Sequence, residues 1–288
     1  MIHSWARLKS PEQWKGLSIT APRFYEVMPR LVDCMHQVFE RDIDLSKEAI
    51  GIFAMGRLSV EDFLEIAFLS ENGFGFAAVK LLRGLYERVV TAEYISTDAE
   101  IARNFHDFEV VQRLKLTNKA QSVFQGKVAT SHLPDISEAD RKKLYERFNV
   151  GKCTQCGMGK QMSFSKLDLL SMAQKASESL KLRYGSSSVT RELERAYFLC
   201  ADIPNIHIHA SMYSFGNRLA RSEFMWNPSQ DAEILLALSS AHVLMLVALH
   251  TQDAFFGLNL GDSLQDLLHD FTFAWRTVPI ESTEQTTP

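Results

Sequence analysis

Residues 72–96, NGFGFAAVKLLRGLYERVVTAEYIS, decide the fold. At about 100° of rotation per residue, Phe76, Val79, Arg83, Glu87, Val90 and Tyr94 share one stripe of a helix. Ala78, Leu81, Leu82, Leu85, Val89 and Ala92 cover much of the opposite side, and a narrow arc through Lys80, Gly84, Arg88 and Thr91 is left for water. A helix this apolar belongs at the centre of its domain. Arg83 and Glu87 stand one turn apart inside the first stripe. They are therefore expected to be buried, paired and hydrogen-bonded, because an uncompensated buried charge is costly.

The flanking sequence repeats the helical period. Upstream, Phe24, Val27, Met28, Leu31, Met35, Val38 and Phe39 predict a helix over 21–41. A short helix is expected over 46–56, and Ser59-Val-Glu-Asp62 resembles a capping box that would open a separate helix. Asn72-Gly73 breaks the chain before the central helix. Downstream, Thr97-Asp-Ala-Glu100 reads as another capping box, followed by a polar helix that Gln125-Gly126 should stop. Ser137 and Ser165 begin two more. Helix resumes over 190–201, Asp202 and Pro204 mark a boundary and the start of a helix 204–222, and Asn227-Pro228 precedes a long helix 229–256. A last helix is expected around 264–275. IHIHA at 206–210 alternates like a strand, but it is short and follows a helix-start signal, so helix is preferred. The expectation is an all-α fold: a single-domain multi-helix bundle over 21–276 around the buried central helix, with an N-terminal arm at 1–20 that Trp5 and Trp14 would pin, and a polar tail at 277–288.

Composition narrows the function classes. The chain has 288 residues, 46% hydrophobic and 23% charged, enough for a sizeable core, and a formal net charge of -4 that gives no global drive toward nucleic acid or anionic membrane. Four cysteines, at 34, 153, 156 and 200, are too few for a secreted disulfide scaffold, so a cytoplasmic setting is expected. The stretch 232–249 approaches membrane-spanning length, but Glu233, Ser239, Ser240 and His242 interrupt it and no basic cluster flanks it. A buried core helix is expected, and no membrane partner.

Cys153-x-x-Cys156 has half the spacing of a zinc site and lacks a second pair, so the expected cofactor is none, with structural zinc or a redox pair as the alternative. Cys34 and Cys200 fall in apolar helices, where buried free thiols are common. Asn104, His106 and Asp107 read as a solvated face, and His242 and His250 as packing residues. No phosphate-binding glycine loop, HExxH or GxSxG occurs, and no ExxH pairs suggest a di-metal bundle.

In the predicted helix 204–222, His209 aligns with Met212, Tyr213, Gly216 and Ala220 on an inward face, whereas His207 aligns with Ser211 and Ser214. One reading places His209 as a satisfied core histidine. The other brings His209 to Arg83 and Glu87 in one polar cluster, with Ser211 and Tyr213 nearby. There Glu87 would orient the imidazole for acid–base work, and Arg83 would clamp a phosphate.

The segments GFGFAAVKLLRGLYERVVTAEYI and AYFLCADIPNIHIHASMYSF resemble a bacterial family, domain of unknown function 5677. It carries an LLRxxxE helix, matched by Arg83 and Glu87, and a later Tyr…His-x-Ser segment, matched by Tyr197, His209 and Ser211. The likeness covers roughly residues 45–255. A looser likeness is to HEPN-type helical bundles, many of them metal-independent ribonucleases of bacterial defence, built on an Arg followed by four to six residues and then a His, usually across a dimer. Neither Arg83 nor Arg103 is followed by a His at that spacing, and His209 has no Arg just before it. The resemblance implies RNA as a partner, a homodimer, and a stress or phage-defence setting. The alternative is a non-enzymatic helical module that dimerises or binds a partner, with the Arg–Glu–His cluster as a structural lock.

Overall fold

The computed structural model describes residues 14–41, 45–124, 136–148, 163–184, 192–209 and 231–275. Among them every regular element is helical: α1 (Leu17–Thr20), α2 (Pro22–Phe39), α3 (Lys47–Glu71), α4 (Gly75–Ser96), α5 (Ala99–Val123), α6 (Glu138–Arg147), α7 (Leu169–Tyr184) and α8 (Glu192–Tyr197). One wide π turn (Phe198–Asp202) joins α8 to α9 (Ile203–Ile208), and α10 (Asp231–Phe256) and α11 (Gly261–Trp275) complete the order.

α4 is the hub, packed by α3, α5, α7, α9 and α10. Ala78, Val79, Leu82, Leu85, Tyr86, Val89 and Val90 are fully buried along it. α10 supplies the second half of the core through Leu238, Ala241 and the run Leu244–Leu249, which explains why it has no polar face. It is long and apolar enough to cross a membrane by length and composition, but 72% of its most apolar window is buried inside the bundle. Its apolarity is that of a core helix. Trp14 and Leu17 also lie in the core; Trp5 and the 277–288 tail are outside the described residues.

Local chemistry places the helix ends. Ser46 Oγ accepts from the Ala49 N–H at 3.2 Å, Ser137 Oγ from Asp140 at 3.1 Å, and Asp168 Oδ1 from Ser171 at 2.7 Å. Asp98, rather than Thr97, caps α5 by accepting from the Glu100 N–H at 2.6 Å. Gly73 takes φ +78° in the turn from α3 to α4, a conformation that favours glycine.

The expected break before Ser59 is absent. α3 runs unbroken from Lys47 to Glu71, and the fully buried Ser59 donates back to Met55 O at 2.8 Å instead of capping a new helix. Gly56, inside this helix, serves packing. A Cβ there would stand 2.5 Å from Gln252 Nε2, 2.9 Å from its Cδ and 3.0 Å from Phe39 Cε1. Gln252, fully buried on α10, donates to Ile52 O at 2.9 Å through that gap. Gly56→Ala should therefore lower stability by about 1–3 kcal/mol through overpacking, although alanine is the better helix former by about 1 kcal/mol. A raised Tm for the variant would contradict this contact.

The helix 204–222 is also not as expected. α9 begins at Ile203 but ends at Ile208, and His209 has extended backbone (φ -84°, ψ 138°). Upstream, the chain is helical through Asp202 rather than broken there. In a regular helix the Pro204 ring would collide with the carbonyl one turn back and remove its donor. The wide turn, in which the Ile203 N–H reaches Phe198 O, accommodates it.

Candidate functional site

Along α4 the water-facing arc is wider than the sequence suggests. Arg83 and Glu87 belong to it, with side chains 33% and 45% exposed, so they are not buried in an apolar stripe. Arg83 Nε donates to Glu87 Oε1 at 2.9 Å, the favourable one-turn spacing on a helix. Its Nη1 donates to Asn205 Oδ1 across the α4–α9 contact. Two of the three guanidinium nitrogens are thus fixed from opposite sides. The result is an oriented cation whose Nη2 has no partner among the described residues.

Asn205 was not singled out in the sequence. It sits one residue after Pro204, where a polar residue reads as part of a helix start. The strap formed by α8, the π turn and α9 runs antiparallel to the first half of α4, since Tyr197 packs edge-on to Tyr86 while His207 packs edge-on to Phe76, with ring centroids 6.2 and 5.3 Å apart. The Tyr86 hydroxyl donates to Leu193 O at 2.6 Å and anchors the start of the same strap; burial pushes its phenol pKa up.

His209 is brought to the end of this strap but not into the arginine cluster. Its backbone N–H donates to Asn205 O at 3.0 Å and its side chain is exposed. No hydrogen bond or ion pair joins its ring to Arg83 or Glu87 among the described residues. Glu87 orients Arg83, not His209. The inward alignment of His209 fails because α9 stops one residue before it. His207, two residues earlier, is half-buried against Phe76. Ser211 and Tyr213 lie outside the described residues, as do Cys153 and Cys156.

Other polar positions are structural. Cys34 and Cys200 are buried free thiols, and burial pushes the Cys34 thiol up to about 11. Arg147 on α6 reaches Asp107 at 2.7 Å and also Asn104, so that polar run on α5 docks α6. Arg88 pairs with Asp62 on α3, whose carboxyl burial holds up to about 6 against the pull of Arg88. Among the described residues no three His, Cys, Asp or Glu side chains converge to hold a metal ion.

The sequence singled out Arg83 and Glu87 on α4 but passed over Glu93 further along the same helix, which is fully buried. Thr251 on α10 donates to its Oε2 at 2.7 Å and Arg183 on α7 pairs with Oε1. His250 lies within the field of Arg183, and burial is the larger cause holding its pKa below the ordinary histidine value.

These features define an all-α bundle with a half-buried, oriented arginine on its central helix. The chain belongs to the family of unknown function DUF5677, whose model matches residues 52–223 and so spans α4, α5 and the strap carrying Asn205 and His209. No curated protein and no solved structure matches the chain.

Proposed function

We propose that the α4–α9 face binds the phosphodiester backbone of RNA and cleaves it without a metal, in the cytoplasm and in a stress or phage-defence setting, as the HEPN likeness suggests. The observation that supports this most is the Arg83 guanidinium. Glu87 and Asn205 fix its direction through Nε and Nη1, and Nη2, which has no partner among the described residues, suits a charge-assisted hydrogen bond to a phosphate oxygen. In the cleavage step a ribose 2′-hydroxyl attacks the adjacent phosphorus and the bond to the 5′-oxygen breaks. His209, exposed at the end of the strap, takes the 2′ proton and returns a proton to the leaving 5′-oxygen. Arg83 stabilises the charge on the phosphoryl oxygens. Ser211 and Tyr213, two and four residues beyond His209, are the remaining candidates for contacts to substrate.

Arg83→Ala should lower RNA cleavage by about 10²–10³-fold, the usual cost of removing one donor to a developing anion. His209→Ala should abolish cleavage with an unchanged melting temperature, since its side chain is exposed. Cleavage at the wild-type rate in either variant overturns the assignment.

A second reading rests on the same contact. Arg83 ties α4 to α9, so the cluster also fits a structural lock in a non-enzymatic partner-binding module. In that case Asn205→Ala and Arg83→Ala lower stability and the wild-type protein cleaves no RNA.

A further inference from the structure

α5 is divided by charge. Residues 99–111 carry Glu100, Asp107 and Glu109 against Arg103, whereas residues 112–124 carry Arg113, Lys115 and Lys119 and no acid. The last residue of α5 buried in the bundle is Leu114. Beyond it the helix stands clear of the core and presents Leu116, Val123 and Phe124 at 67%, 64% and 59% exposure. Leu116, Lys119 and Val123 follow the i, i+3, i+7 spacing of one helical stripe. Lys115 and Lys119 have no ion-pair partner among the described residues.

The second half of α3 has the opposite character. Residues 58–71 carry Glu61, Asp62, Glu65 and Glu71 and no base. Leu58, Glu61, Glu65 and Phe68 follow i, i+3, i+7, i+10 along its outer face, and Leu58 and Phe68 are 37% and 59% exposed. Asp62 is turned inward to Arg88, and Glu61 meets Arg57 at 3.3 Å, while Glu65 has no ion-pair partner among the described residues. The chain therefore carries two unpartnered apolar stripes of matching period and opposite charge on different helices.

We propose that the basic stripe on α5 of one chain docks on the acidic stripe on α3 of a second copy, and that the exchange is reciprocal about a two-fold axis. Apolar side chains form the centre of each contact, and Lys115 and Lys119 face Glu61 and Glu65. Pairing α5 with α5 would set like charges opposite each other, so α5 on α3 is favoured, once in each half of an isologous two-fold interface. Both stripes are aliphatic apart from one phenylalanine each, which suits a helix partner better than stacked bases. The exposed charge pairs are screened by salt, so association weakens as ionic strength rises. This inference does not depend on the ribonuclease reading.

The test is the mass of the full chain by multi-angle light scattering at rising concentration. The wild type should approach twice the 32.7 kDa of one chain. Lys115→Glu with Lys119→Glu should leave a monomer, and so should Glu61→Lys with Glu65→Lys. An equimolar mixture of the two double variants restores opposite charges at both contacts and should regain the two-chain species. All four positions are exposed, so the helicity of each variant should match the wild type. Leu116→Ser, which changes no charge, should also weaken association. A wild type that stays at one-chain mass, a charge reversal without effect, or a mixture that fails to associate each overturns the proposal.

Discussion

Arg183→Met should lower the stability of this protein by about 2–3 kcal/mol, because it leaves the fully buried Glu93 carboxylate without its charged partner. Glu93 has 0% exposure on the central helix. Its two oxygens are met by the Thr251 hydroxyl and the Arg183 guanidinium, which ties α7 to the α4–α10 core. Removing the guanidinium leaves a carboxylate that the interior cannot solvate. The pair itself adds much less than this number, because Glu93 was fully desolvated to form it. Glu93→Leu combined with Arg183→Met should therefore recover most of the loss. Thr251 would not be stranded in the double variant, since its hydroxyl lies 2.9 Å from Val247 O, a second acceptor. Urea unfolding of the two single variants and the double variant measures the coupling. An Arg183→Met protein within about 0.5 kcal/mol of wild type, the range of an ordinary surface substitution, would overturn the pairing of Arg183 with Glu93 as a stabilising contact.

The same cluster shows what was readable in the sequence. The all-α class and the central place of α4 followed from a helix apolar on most of its circumference, and that pattern is a direct record of burial. The rule that drew notice to Arg83 and Glu87, a charge within an apolar helix, applies with more force to Glu93. Glu93 continues the line of Leu82, Tyr86 and Val89, all fully buried. Arg83 and Glu87 lie on the margin of that buried surface, and helical angles alone do not say where the margin falls, because it depends on which neighbours cover the helix. α9 covers one side of Arg83 and leaves the other open.

Punctuation was the other source of difference. Ser59 has the residue type of a helix start, but its hydroxyl bonds backward to Met55 O, an option open to any mid-helix serine. Gly56 breaks no helix and admits Gln252. His209 follows no glycine or proline that would end α9, so nothing local announces that the helix stops at Ile208. The partnership of Arg83 with Asn205, 122 positions apart in the chain, is set by tertiary packing and leaves no periodic trace.

Acid should destabilise the bundle through His242, and the effect should vanish when that side chain is made non-titrating. His242 has 0% exposure in the middle of α10, with the rings of Phe24, Phe271 and Trp275 at centroid distances of 5.4, 5.2 and 6.4 Å. The Trp275 Nε1–H donates to His242 Nδ1 at 3.0 Å, so the ring is neutral with its proton on Nε2, which is buried without a hydrogen-bond partner. Burial pushes the pKa down to about 3. A histidine depressed in the folded state contributes stability that is fully present above the unfolded pKa near 6.5 and is lost as the pH falls toward 3. The loss is about 1.4 kcal/mol per pH unit in that window, or about 3 kcal/mol at pH 4. Protonation also turns Nδ1 into a donor facing the Trp275 donor, which loosens the grip of α11 on α2 and α10. Other groups titrate in the opposite sense. Burial raises the carboxyls of Asp270, paired with Arg30 beside this site, and of Asp62, so both favour the folded state as the pH falls through their raised values. The wild-type profile is therefore a sum, and the difference from His242→Gln isolates the histidine, since glutamine retains an acceptor for Trp275 and carries no charge. Urea unfolding at about pH 7 and about pH 4, followed by tryptophan fluorescence, should show the wild type losing stability relative to the variant by about 3 kcal/mol. Parallel profiles for the two proteins would mean that the ring reaches water or an acceptor in the folded state, and that the contact with Trp275 does not hold it neutral.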